Sequence, residues 1–321
     1  MIEDNLNFYN FTFKANDGKL IYAYKWLPKL PSTQIKAAIQ IVHGMGEHAL
    51  RYNDFANYLT ANGFAVYALD QRGHGKTAQT IENFGHQADK NGWMLVVDDI
   101  KKLTEIIKKE NPQTNIFLFG HSAGSFLVRD YLIKFSDESK NEIKAVILSG
   151  TATSPGIMGY LGILISKYLI KKYNPAVKSP LHRKLTFEKY NSHFKPNRTT
   201  SDWISRDNEA VDKLLADPYC FTLFSATFYM ELIQSTLRIN NFKNIKKMPK
   251  NIPILLISGT QCSVGNYTKG IKKVYKDFIK AGIKDVELKL YKDARHELIN
   301  ELNKIEVYED VKNFLLSKNK I

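Results

Sequence analysis

Gly120-His121-Ser122-Ala123-Gly124 is the stretch of this 321-residue sequence best suited to covalent chemistry. A serine between two glycines, after an apolar run and before a helical segment, fits a turn so tight that the hydroxyl is thrust out above a sheet. The pattern G-x-S-x-G is weak alone. Its position, directly after Ile116–Phe119, gives it weight over a plain helix-capping turn. A serine hydroxyl is a poor nucleophile until a base takes its proton. His296 fits that place, following the Val286–Leu290 run and preceding the last helical segment, in the chain order nucleophile, acid, base. His43, His48, His74, His86 and His121 precede or adjoin the serine, while His182 and His193 fall in an irregular middle segment. Acyl transfer also needs backbone N–H donors aimed at the developing oxyanion. His43-Gly44-Met45-Gly46 leaves the Ala37–Val42 run and can offer the Met45 amide, with the Ala123 amide as the second donor.

The elements that must position these groups read as an α/β chain. Phe8 to Lys14 and Leu20 to Trp26 flank the turn signal Asn16-Asp17-Gly18 and predict an antiparallel hairpin. Six apolar runs follow: Ala37–Val42, Phe64–Leu69, Ile116–Phe119, Ala145–Leu148, Ile254–Ile257 and Val286–Leu290. Helical segments lie between them, at Arg51–Ala61, Met94–Lys109, Ser125–Phe135, Val264–Ala281 and Glu297–Leu316. Short uninterrupted apolar runs separated by helices predict a mostly parallel, doubly wound sheet with helices on both faces. The rhythm breaks over 151–235, which is expected to be a helical insertion above the carboxyl ends of the strands. The core is then 1–150 with 236–321. Trp203, Tyr219, Phe221, Phe224, Phe228 and Tyr229 mark this insertion.

Composition narrows the function classes. The sequence is 44% apolar and 24% charged, close to a globular average, which excludes disorder and fibrous repeats. Cys220 and Cys262 are too few for a disulfide framework or a cysteine zinc site, and no cofactor or metal is called for. Met1-Ile-Glu-Asp-Asn-Leu-Asn lacks the basic flank and apolar core of a secretory signal, and no apolar run is long enough to span a bilayer. A soluble protein of a reducing, cytoplasmic compartment is expected. The net charge of +14 is unevenly placed, with nine Lys/Arg against one acid, Glu188, from Thr151 to Thr200. A basic surface attracts nucleic acid, anionic membrane or acidic ligands, and charge alone does not choose among them.

Taken as a set, several motifs resemble the monoacylglycerol lipase / lysophospholipase branch of the α/β-hydrolase fold. They are His43-Gly44-Met45-Gly46-Glu47-His48 with Arg51-Tyr52, Asp70-Gln71-Arg72-Gly73-His74-Gly75 and Gly120-His121-Ser122-Ala123-Gly124. Ser149-Gly150-Thr151-Ala152, Leu256-Ile257-Ser258-Gly259 and Ala294-Arg295-His296-Glu297 extend the match over nearly the whole chain. The resemblance implies Ser122 as nucleophile, His296 as base, Met45 and Ala123 as oxyanion donors, and 151–235 as a cap over an acyl pocket. It further implies substrate contacts from His43, Gly44, His121 and the cap residues Ile157, Tyr160 and Leu161. Ala123 stands where the family usually has methionine, which alters pocket shape more than mechanism. Asp70 and Arg72 are expected to organise the loop beneath the site.

The catalytic aspartate of the family pattern is absent: Gly259-Thr260-Gln261 leads to Cys262, and no carboxylate occurs from Leu232 to Lys276. That acid orients the imidazole and stabilises the imidazolium, and a neutral thiol is a weak substitute. Turnover is expected to fall by roughly three to five powers of ten. Three accounts stay open: a variant disabled at this position, a carboxylate supplied from elsewhere, or a Cys262 thiolate paired with His296. The predicted function is a serine carboxylic-ester hydrolase acting on single-chain lipid esters, impaired at the triad. Its alternative is a non-catalytic lipid-binding protein on the same fold. The apolar stretch Ile157–Ile165, leading into Lys167, Lys171 and Lys172, suits an anionic membrane surface or a packed cap helix. Nucleic acid is not an expected partner, because no recognition motif accompanies the charge.

Overall fold

Strands that are apolar at every position need cover on both faces, and this chain supplies it. In the computed structural model, which describes residues 7–220 and 223–319, eight strands form one sheet. They are β1 (Asn7–Lys14), β2 (Leu20–Leu27), β3 (Ala38–Val42), β4 (Ala65–Leu69), β5 (Ile116–His121), β6 (Ile143–Ser149), β7 (Ile254–Gly259) and β8 (Val286–Tyr291). The order is β1-β2-β4-β3-β5-β6-β7-β8, antiparallel from β1 to β4 across β2 and parallel thereafter. Successive residues feed two separate cores: Ile116 and Leu118 pack on one face, Phe117 and Phe119 on the other. The amino-terminal Met1–Leu6 stretch and Phe221 lie outside the described residues.

The longer helices are α1 (Asn53–Ala61), α2 (Gly92–Glu110), α3 (Ala123–Lys134), α4 (Ile157–Lys172), α5 (Asn208–Ala216), α6 (Ala226–Ile239), α7 (Lys269–Lys280) and α8 (Lys304–Asn319). Two start later than the sequence predicts. Val264–Thr268 is a loop because Asn266, Tyr267 and Thr268 all take positive φ, which no helix accommodates. Glu297–Asn303 is held out of α8 by tertiary hydrogen bonds: Glu297 N–H donates to Ile204 O, and Arg295 N–H to the buried Glu301 carboxylate. No helix among the described residues is long and apolar enough to cross a membrane.

β3 connects to β4 on one side, while β5 lies on its other side. This reversal leaves a crevice at the strands' carboxyl ends, the usual ligand position in such sheets. Between β6 and β7 lie α4, α5 and α6 with short helical turns. Residue 235 falls within α6, whose Ser235 hydroxyl donates to Asp130 of α3 at 2.5 Å, so this helix belongs as much to the core as to the insertion.

Beneath the crevice, Asp70 follows β4 fully buried, its carboxylate accepting from Tyr24 Oη (3.0 Å), Ala49 N–H (2.9 Å) and Lys76 N–H (2.8 Å). Gly75 follows so closely that any Cβ would stand 2.3 Å from that carboxylate. Arg72 pairs with Asp99 at 2.7 Å and reaches back to Asp17 in the hairpin turn at 2.5 Å. Both residues tie loops together, as expected from the sequence. Asp70→Ala strands three donors and should lower the unfolding free energy by about 3 kcal/mol, measured by denaturant melting. A loss below about 0.5 kcal/mol would contradict this structural role.

Candidate active site

Ser122 has φ 51° and ψ −122°, a conformation costly for a residue with a side chain and held here by its surroundings. Its N–H donates to Ser149 O at 2.9 Å, and the flanking glycines admit no alternative. A Cβ on Gly124 would stand 2.1 Å from Val42 O, and one on Gly120 2.8 Å from Gly124 O. β3, β5 and α3 therefore approach too closely for any side chain, and the serine hydroxyl is driven upward from the strand end.

His296 meets it there: Nε2 lies 2.9 Å from Ser122 Oγ. The loop carrying the histidine crosses the end of β7 at Gly259, where a Cβ would stand 2.0 Å from Ala294 O. Two hydrogen bonds pin this loop to the segment after β7: Gln261 N–H donates to Ala294 O (2.9 Å) and Asp293 N–H to Thr260 Oγ1 (2.8 Å). From above, Ile204 O accepts the N–H groups of both His296 (2.9 Å) and Glu297 (2.8 Å). The ring lies between His121 and Trp203, with centroids 4.7 and 5.2 Å away. Burial, helped by His121, pushes the imidazole well below its usual range, so it is neutral and able to accept a proton.

The other ring nitrogen, Nδ1, faces Cys262 Sγ at 3.2 Å. Cys262 is fully buried, with the Val264 and Gly265 N–H groups as minor influences that favour its ionised form. Burial outweighs these donors and pushes the thiol up. Burial thus favours the neutral form of both thiol and imidazole. Among the described residues no carboxylate hydrogen-bonds to Nδ1, which faces the thiol.

The loop after β3 is built on a carboxylate. Glu47 accepts the Gly44 N–H and, at 2.8 Å, the Tyr52 hydroxyl, while Arg51 spans Glu47 (3.5 Å) and Glu297 (2.5 Å). Burial, with Glu297 adding to it, pushes Glu47 up to about 7. Met45 and Ala123 line a cavity of about 80 Å³ with Gly44, His121, Ser122 and His296. His43 does not reach it. Its ring is fully buried, with Nε2 accepting from Gln71 N–H (3.0 Å) and Nδ1–H facing Gly44 O (2.8 Å), so its expected substrate contact is replaced by a loop-fixing role.

Ile157, Tyr160 and Leu161 do not line the cavity either; they are 86%, 60% and 49% exposed on α4. The insertion reaches the site instead through Phe187, Tyr190, Trp203 and Ile204, contacts that no motif in the sequence marks. Phe187 and Trp203 stack at 5.7 Å and also line a second cavity of about 670 Å³ within the insertion. The aromatic content of 151–235 was the one signal of this wall. Which rings face the serine depends on how the insertion wraps.

The sequence profile of the family described as serine aminopeptidase, S33, matches residues 33–303. Mouse monoglyceride lipase is 27% identical over 90% of this chain and 84% of its own length. A monoacylglycerol lipase of Mycolicibacterium smegmatis is 25% identical over 89% of this chain and 90% of its own. The crystal structure of a thermostable carboxyl esterase from Bacillus coagulans, in complex with glycerol, superposes with a TM-score of 0.89 at 28% identity, covering 98% of this chain and 99% of that one. With the fold, the elbow and these relatives in agreement, the chain belongs to the serine aminopeptidase S33 family of α/β hydrolases.

Proposed function

We propose that the chain is a serine carboxylic-ester hydrolase of the monoacylglycerol lipase / lysophospholipase type, working through an acyl-enzyme at Ser122 and slowed by Cys262. The contact between Ser122 Oγ and His296 Nε2 carries this reading. Ser122 Oγ attacks the ester carbonyl carbon while its proton passes to His296 Nε2. The oxyanion accepts from the Met45 and Ala123 N–H groups. His296 then gives the proton to the departing alcohol oxygen, leaving the acyl group on Ser122. Water attacks that ester, losing a proton to His296, and the fatty acid leaves as the serine hydroxyl is restored.

An imidazolium forms twice per cycle, and a thiol at Nδ1 gives it little charge to face. A buried neutral thiol equally suits the rival reading of a lipid-binding protein that has lost turnover, and activity measurements separate the two. About 80 Å³ holds only roughly two or three waters, far less than an acyl chain needs, so the insertion must move to admit a lipid. We take 151–235 as that cap. Its outer helix α4 exposes Ile157, Met158, Tyr160 and Leu164 and ends on Lys171 and Lys172, a pairing suited to an anionic lipid surface.

Cys262→Asp should raise turnover of a monoacylglycerol at least a hundredfold, against a Ser122→Ala background with none. No gain would refute the role of this position. The same assay carries a pH signature, because kcat/KM follows the neutral base. In the unaltered chain the activity should persist as pH falls through 6.5, since His296 titrates well below that value. In Cys262→Asp a facing carboxylate stabilises the imidazolium and moves the acid limb to higher pH. An acid limb that stays put would contradict the contact.

Co-sedimentation with phosphatidylserine-containing vesicles should be clear at low salt and fall severalfold near about 0.5 M salt, as the lysines are screened. Absent or salt-independent binding would overturn the membrane reading.

A further inference from the structure

Outside the site, one cluster brings together three kinds of metal-binding side chain. His48, Asp217 and Cys220 each present one donor atom, and the three lie within 4.8 Å of one another. His48 Nε2 is 2.8 Å from Asp217 Oδ2, and Tyr219 leans on the imidazole with its ring centre 5.6 Å away. His48 is 7% exposed and Cys220 half-buried, so this is no chance grouping of solvated surface acids. The residues come from two parts of the chain. His48 ends the loop that carries Met45, while Asp217 and Cys220 follow α5 in the insertion.

We propose that His48, Asp217 and Cys220 form a binding site for a zinc-class divalent ion, which fastens the insertion to the loop after β3. An imidazole nitrogen, a carboxylate oxygen and a thiolate are a normal zinc donor set, and water completes four-coordination through the partly exposed Asp217 side. Bonds of about 2.0–2.3 Å to a central ion set donor atoms roughly 3.3–3.8 Å apart. The ion would therefore part His48 and Asp217 by under about an ångström and draw the sulfur in by a similar amount. Binding balances simply. The Cys220 thiol loses one proton to solvent, while the neutral imidazole's one proton shifts from Nε2, where it faces Asp217 Oδ2, to Nδ1, which frees the Nε2 lone pair for the ion. The carboxylate and thiolate then cancel the charge of the ion. Burial pushes the Cys220 thiol up, so the proton leaves only as the ion binds; Arg51, which opposes that shift, is already engaged by Glu47 and Glu297. Such a bridge uses neither Ser122 nor His296 but holds shut the segment that must move to admit a lipid.

Cobalt(II) added to the metal-free full chain should give a thiolate-to-cobalt band in the near ultraviolet, removed by one equivalent of zinc. Cys220→Ser should abolish the band, and Asp217→Asn should weaken zinc binding about tenfold or more, with far-ultraviolet circular dichroism unchanged. Cys262→Ser should leave the band intact. Hydrogen exchange over 208–216 should slow with zinc in the unaltered chain and not in Cys220→Ser. No band, or a band that survives Cys220→Ser, would overturn the site; exchange unaffected by bound zinc would overturn the fastening. None of these readouts uses substrate, so they stand or fall apart from the hydrolase reading.

Discussion

Ser122 and His296 stand 174 positions apart in sequence and 2.9 Å apart in space, and the arrangement around them depends on that contact being made. It is made because the parallel strands all end on one side of the sheet. β5 ends at the serine elbow, β8 runs into the histidine loop, β7 into Cys262, and β3 into the loop of Met45. Backbone approaches at Gly120, Gly124 and Gly259 are too close for any Cβ, so these strand ends are fixed relative to one another by sterics. Hydrogen bonds then select the orientation of the ring.

The electrostatics of the site follow from burial. His296, His121 and His43 are all pushed to the neutral form, and Cys262 is kept a thiol. Keeping Nδ1 opposite a thiol avoids the cost of a buried ion pair in the resting state. It also forgoes the charge that would stabilise the imidazolium in the transition state. Glu47 anchors the neighbouring loop, and the Arg51 bridge to Glu297 ties it to the residue after the histidine.

Much of this was legible in sequence because burial on both faces writes the parallel strands as continuous apolar runs, while the hairpin strands alternate. All eight strands begin within two residues of the predicted segments. The elbow was legible because its glycines are required by backbone contacts that only a strand-turn-helix makes. What stayed hidden was set by contacts distant in sequence. The loop of Asn266, Tyr267 and Thr268 looks helical in sequence because local propensity does not report positive φ in three successive residues. The bracing of His296 by Ile204 O and Trp203 depends on the path of the insertion, which its composition does not encode. The motif around His43 points to a substrate contact, whereas its ring nitrogens are both taken up by backbone groups.

On the proposed mechanism Ser122 is a nucleophile primed by His296. Exposure of the folded chain to a fluorophosphonate, followed by peptide mass spectrometry, tests it most directly. A single adduct is predicted on the peptide bearing Ser122, lost in His296→Ala. A properly folded chain that takes up no label, or takes it up elsewhere, would contradict it.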